Sequence, residues 1–117
     1  MAKYLIKTTY KVKGSKGLLK EGGTGRRAAV KQLVEGLGGK VEAFYFAYGD
    51  ADAYVICDLP DATAGIALSL AVNASGAVHI STIPLISPEE IDAATRKVVS
   101  YRAPGEDAPA AKAKGKK

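Results

Sequence analysis

Cysteine is almost missing from this chain: Cys57 is the one example in 117 residues. A single thiol excludes an internal disulfide and any cysteine zinc cluster, while an intermolecular bridge stays open. Histidine is equally scarce, with His79 alone. The carboxylates Asp50, Asp52, Asp58 and Asp61 have neither helical metal-ligand spacing nor accompanying histidines, so no metal site is read and no cofactor is expected. No apolar run approaches the roughly 18 residues of a membrane span. Residues 1–12 carry lysines on a short β-rich pattern where a signal peptide would have an apolar stretch and a small-residue cleavage site. The expectation is a cytoplasmic protein with no membrane partner.

The composition, with 47% hydrophobic residues, is that of one globular domain with one core. The net charge of +5 is unevenly spread. Residues 1–40 hold ten Lys/Arg against two Glu, whereas residues 41–102 hold three against eight acidic residues. Segregation of this kind suits a complementary self-contact or an anionic partner, but its plainest reading is a solvated basic helix face. Lys112, Lys114, Lys116 and Lys117 alternate with Ala and Gly and have no interleaved aromatics, so they offer only salt-sensitive, non-specific attraction to nucleic acid. The chain is not read as a nucleic-acid-binding protein.

Along the chain, residues 4–12 are aromatic and β-branched and read as a strand. Glycines at 14, 17, 22, 23 and 25 predict a loop over 15–25, with at most one helical turn at 17–20. Thr24 is the expected N-cap of a helix whose stripe is Ala29, Val30, Leu33, Val34 and Leu37, stopped by Gly38-Gly39. Strands are expected over 41–48 and 53–59, joined by a turn at 49–52. Asp61 caps a helix over 62–72, and residues 73–76 form its exit loop. Residues 78–85 make a fourth strand, placed at an edge or projecting from it by Pro84. Ser87-Pro88-Glu89-Glu90 starts a C-terminal helix running to about residue 100. Residues 1–102 are thus the domain, and residues 103–117 are an Ala/Pro/Lys tail expected to be disordered.

The order β–α–β–β–α–β is the split βαβ of a ferredoxin-like α+β fold, with a four-stranded antiparallel sheet whose first and third strands are central. Ala53, Val55, Cys57 and Leu59 form an apolar face under the helices, yet Tyr54 and Ile56 on the other face are apolar too. In the second strand Phe44, Phe46 and Tyr48 alternate with Val41, Ala43, Tyr45 and Ala47, so both its faces read as buried. A two-layer subunit covers one face only, and the simplest cover for the other is a second copy.

Four places carry a family likeness: Leu37-Gly38-Gly39, Gly49 with Asp52, Leu59-Pro60-Asp61, and residues 76–90 with their Ser87-Pro88-Glu89-Glu90 start. Through them residues 1–102 resemble the GYD domain family. The resemblance implies an architecture similar to dimeric α+β barrels built from ferredoxin-like subunits, and it brings no catalytic signature. The family's name motif is matched by Gly49 and Asp52, but Ala51 stands where the motif has its tyrosine. Gly49 and Asp52 are explained as turn residues without any further role.

His79 is the one candidate general base, and it is expected near Asp58 or Tyr10 and about 20 Å from Asp52. A strand-edge histidine without a fixed partner is more simply an exposed side chain. Gly22-Gly23-Thr24-Gly25 followed by Arg26-Arg27 invites an anion-binding reading. It lacks the Gly-Lys-Ser/Thr of a phosphate loop and does not directly follow a strand, which favours a flexible loop. Cys57 reads as an inert core residue. The functional expectation is a homo-oligomeric small-molecule-binding protein, with Tyr10, Tyr45, Tyr54 and His79 as the polar-tipped ligand candidates. The alternatives are a small cofactor-independent enzyme of the barrel type and a structural or regulatory interaction module.

Overall fold

The computed structural model describes residues 1–107. Its elements are β1 (Ala2–Tyr10), α1 (Val12–Glu21), α2 (Gly23–Gly36), β2 (Lys40–Phe46), β3 (Ala53–Leu59), α3 (Ala62–Ala74), β4 (Val78–Leu85) and α4 (Pro88–Thr95). The described residues fall into two units, Met1–Leu85 and a second that begins at Ile86. Of the tail expected over 103–117, residues 108–117 lie outside the described residues.

In the first unit the sheet order is β2-β3-β1-β4 with every pairing antiparallel, the ferredoxin-like arrangement expected from the element order. Parity decides the faces. Tyr4 and Ile6 of β1, Val55, Cys57 and Leu59 of β3, and Ile80 of β4 point into one core with Val34 of α2 and Leu68 of α3. Val34, Cys57 and Leu59 have no exposure at all. The strict alternation of β3, buried at every odd position from Ala53 to Leu59, shows a central strand with helices on one side.

The second strand departs from simple alternation. A bulge between Val41 and Ala43 lets Val41 oppose Cys57 while Phe44 opposes Val55, so both turn toward the helices although three residues apart. The expected grouping of Val41 with Ala43 and Tyr45 is therefore wrong. Within one subunit the face away from the helices is open, as a two-layer arrangement requires: Tyr45 is 72% exposed. The strand also ends at Phe46 rather than residue 48, and Tyr48 is wholly exposed.

The largest correction is α1. The expected loop over 15–25 is a ten-residue helix, and β1 ends at Tyr10 because Val12 already belongs to that helix. Glycine normally costs a helix about 1 kcal/mol relative to alanine, but tertiary contact overrides that cost here. The Lys11 amide donates to the Ala77 carbonyl at 2.9 Å, and a Cβ on Gly14 would lie 2.1 Å from that same oxygen. Gly14 is thus where α1 meets the start of β4. Thr24 is not the cap of α2: the helix begins at Gly23 with Gly22 as N-cap and no side-chain cap.

The end of α2 follows expectation. Gly38 adopts φ 84°, and the Gly38 and Gly39 amides donate to the Glu35 and Val34 carbonyls at 3.0 and 2.9 Å, the pairing of a Schellman stop. Asp61 caps α3 by accepting from the Ala64 amide at 2.9 Å. That helix runs two residues past the expected 72, because Asn73 is held by β4: its Oδ1 accepts from the Ile80 amide at 2.7 Å and its Nδ2 donates to the Ile80 carbonyl at 3.3 Å. These bonds satisfy outer backbone groups of an edge strand.

In the second unit, α4 starts as expected with a reciprocal capping box. Ser87 Oγ accepts from the Glu90 amide at 3.1 Å, and Glu90 Oε1 accepts from the Ser87 amide at 2.9 Å. It ends at Thr95, short of the expected residue 100, with the Arg96 and Lys97 amides bonding three residues back to Ala93 and Ala94.

Candidate functional site

Two surfaces of the sheet need separate treatment, because the candidate residues divide between them. Tyr10, at the end of β1, shares the parity of Tyr4 and Ile6 and faces the helices. Tyr45, Tyr54 and His79 lie on the other face. Tyr45 and Tyr54 are directly paired across β2 and β3, and Tyr54 is followed in the same row by Lys7 of β1 and Ser81 of β4. His79 pairs with Thr9 two residues further along, is exposed, and its side chain has no hydrogen-bond partner among the described residues.

The strand directions remove Asp58 from the expected neighbours of His79, while Tyr10 does lie beside the start of β4, opposite Val78. Because β3 runs parallel to β4 across β1, the start of β4 lies beside the start of β3. Asp58 pairs with Lys3 and sits at the far end. Asp52 is the nearer acid: its amide donates to the Thr8 carbonyl at 2.8 Å, placing it one strand beyond Thr9, about 10 Å from His79 at two strand spacings. The Asp52 carboxylate is already engaged, since Oδ2 accepts from the Tyr10 amide at 2.7 Å. With the Ala47 amide donating to its carbonyl at 2.9 Å, Asp52 ties the β2–β3 turn to the end of β1. Gly49 has neither a crowded Cβ position nor positive φ. Ala51, at the family's tyrosine position, is 2% exposed.

Between sheet and helices lies a cavity of about 50 Å³. Its walls are aliphatic and aromatic, including Val30, Leu33, Phe44, Leu68, Val72 and Ile80, and its polar lining groups are Thr8, Tyr10 and Arg26. It shares Tyr10, Arg26, Leu33, Val72 and Val78 with an outer groove of about 470 Å³ that runs over α1 and the end of α3. Lys13 reaches across this groove, its Nζ donating to the Ser75 carbonyl at 3.2 Å. The arrangement is an apolar pocket with a short polar neck.

Tyr10, Arg26 and Glu21 make that neck. Arg26 and Glu21 approach to 3.7 Å with more than a third of each side chain exposed. Burial pushes the Tyr10 hydroxyl above its ordinary range; Arg26 opposes the shift, while Glu21 and Asp52 add to it. The neutral phenol is the form that folding favours. Its contribution to stability is therefore complete below the unfolded value of about 10 and is lost as pH rises through the higher folded value. Ultraviolet titration should show a late tyrosine ionisation belonging to Tyr10. That transition should be absent from Tyr10→Phe, and the stability advantage of wild type over this variant should shrink above about pH 10. A Tyr10 midpoint at or below the ordinary value would overturn this assignment.

Cys57 is fully buried, and burial, with some help from Asp58, raises its thiol pKa against the opposing charge of Lys3; it is an inert packing group. Lys3 on the opposite face bonds Glu42 and Asp58, the latter at 3.1 Å, and these bonds raise its pKa, Glu42 most. Among the described residues no group of three or more His, Cys, Asp or Glu side chains stands together as a metal site would need. No helix among them is long and apolar enough to cross a membrane.

The sequence singled out Tyr10 and Arg26 separately and did not join them. Glu21, Lys13 and the cavity-lining Val30 and Val72 were not foreseen as site residues, and no local spacing marks them. Among known proteins, the GYD domain model matches residues 4–95. Neither the curated proteins nor the solved structures contain a significant match.

Proposed function

The chain belongs to the GYD domain family, and from that premise we propose that it is a homo-oligomeric, cytoplasmic small-molecule-binding protein whose ligand enters the pocket between sheet and helices. One observation carries this reading: an apolar cavity of about 50 Å³ lies against three polar side chains and shares a wall with an outer groove. An unfilled apolar void costs roughly 24 cal/mol per Å³, so this one costs about 1 kcal/mol that an occupant recovers. Concave, mostly apolar pockets with a few convergent polar groups are where small ligands bind.

The oligomer rests on the opposite face. There Ala43, Ile56, Leu5 and Ile83 form one continuous apolar row across all four strands, which supports its cover by a second copy.

Native mass spectrometry of the protein purified from its own cells should detect a retained metabolite. Filling the cavity by Val30→Ile or Val72→Ile should reduce that retention at least tenfold and leave the melting temperature unchanged or higher, because the added methyl replaces empty space. Undiminished retention in folded variants of both kinds would place the ligand elsewhere.

A further inference from the structure

The cavity volume limits what can enter. At about 50 Å³ it is a third of the roughly 150 Å³ that holds benzene. A ring does not fit, but a short unbranched hydrocarbon end does. The remainder of any ligand must lie in the groove, passing Tyr10 and Arg26.

Charge at that neck is specific. Arg26 is the charged residue of the cavity lining, and it also lines the groove. Its partner Glu21 stands at 3.7 Å, beyond hydrogen-bond reach, so the ion pair leaves the guanidinium's N–H donors open to another acceptor. A planar fork of donors matches a carboxylate bidentately, which an ammonium group does not do. The Tyr10 phenol beside it keeps its proton and so remains a donor. Lys13 adds a second positive charge over the groove, held against the Ser75 carbonyl. The groove therefore carries two cations against the one anion Glu21, and the pocket beneath it is lined by Arg26 and by no anion.

Building on the binding reading above, we propose that the ligand is a small aliphatic carboxylate, its short unbranched tail in the cavity and its carboxylate on Arg26 and Tyr10. Neutral molecules of the same shape lose the charge-assisted bonds and keep only the apolar contact. Branched or aromatic acids keep the charge contact and lose the cavity.

The probes are propanoate and propanamide, titrated into the full chain while the methyl resonances of Val30 and Val72 are followed by NMR. Propanoate is expected to shift these methyls and to bind at least tenfold more tightly than propanamide. In Arg26→Gln the two should differ by less than about threefold, whereas Arg26→Lys should retain part of the preference. The spectra themselves show whether each variant is folded. Equal affinities in the wild type, or a tenfold preference surviving in Arg26→Gln, would overturn the carboxylate assignment while leaving the pocket as a binding site. If neither probe moves these methyls, the binding reading itself fails and takes the assignment with it.

Discussion

Replacing Gly39 with alanine is expected to cost roughly 3–5 kcal/mol, a large share of the roughly 5–15 kcal/mol that holds a domain of this size folded. A Cβ at this position would lie 2.3 Å from the Asp58 carbonyl oxygen, 2.9 Å from Leu59 Cδ2 and 3.0 Å from Val34 Cγ1. None of the three can yield. Asp58 is held in the β1–β3 and β2–β3 pairings, and Val34 and Leu59 are fully buried. The added carbon must therefore push β2 from β3 or lift the end of α2 from the core, and overpacking at such a junction costs more than a methyl group can return. Gly36→Ala is the control, since nothing lies within 4 Å of its Cβ position; a helical glycine there should tolerate alanine, or gain about 0.5–1 kcal/mol. Denaturant unfolding of both variants measures the contrast, and a Gly39→Ala protein within about 1 kcal/mol of wild type would show that the junction is looser than its geometry.

The glycines also show where sequence reading works and where it does not. Gly38-Gly39 after an apolar stripe reads correctly as a helix stop, because the left-handed turn is a local requirement. Gly14 and Gly17 read as breakers and are not, because the need for Gly14 comes from the Ala77 carbonyl, 63 positions away in the chain and invisible to any local window. Strand β3 was legible since it is central and alternates cleanly. Strand β2 was not, because a one-residue bulge reassigns Val41 to the other face without a mark in composition. In α3 the helix and its Asp61 cap were legible but its buried face was not. Residues 62–74 carry no charge, so periodicity cannot say that Leu68 is buried at 2% while Ile66 and Leu70 are 59% and 67% exposed.

The site was legible only in fragments. Tyr10 was named for its polar tip and Arg26 for the glycine-rich run before it, but what joins them is the tertiary fold, which sets both on the wall of one pocket. His79 and Asp58 were paired in expectation by strand order alone. The antiparallel register moves Asp58 to the opposite end of the sheet and brings Asp52 closer instead. Side chains that meet across a sheet are fixed by register, which depends on turn length and bulges that a single sequence leaves open.

On the far side of the sheet, Ile56→Asp is expected to convert a dimer or larger assembly into a monomer, raising its dissociation constant by about 100-fold or more, on the order of 3 kcal/mol. Ile56 stands second in the row Ala43, Ile56, Leu5, Ile83, on the two central strands with Leu5 directly opposite. Polar groups border this row on both sides: Lys3 with Asp58 and Glu42 at one end of the sheet, and Lys7, Ser81 and the Tyr45–Tyr54 pair toward the other. An apolar strip with a polar rim is the pattern of an interface centre. A carboxylate in the middle of such a strip must be desolvated in both copies at once, and no cation of the row itself can pair with it. Since Ile56 is half-buried even within one chain, Ile56→Thr serves as the gentler variant, keeping β-branching while removing apolar contact. Sedimentation equilibrium at low micromolar concentration should show wild type as a dimer or larger, Ile56→Thr weakened, and Ile56→Asp dissociated with its circular dichroism retained. A stable monomeric wild type under those conditions would sink the sheet-to-sheet assembly, and it would leave the pocket beneath the helices as a site complete within one chain.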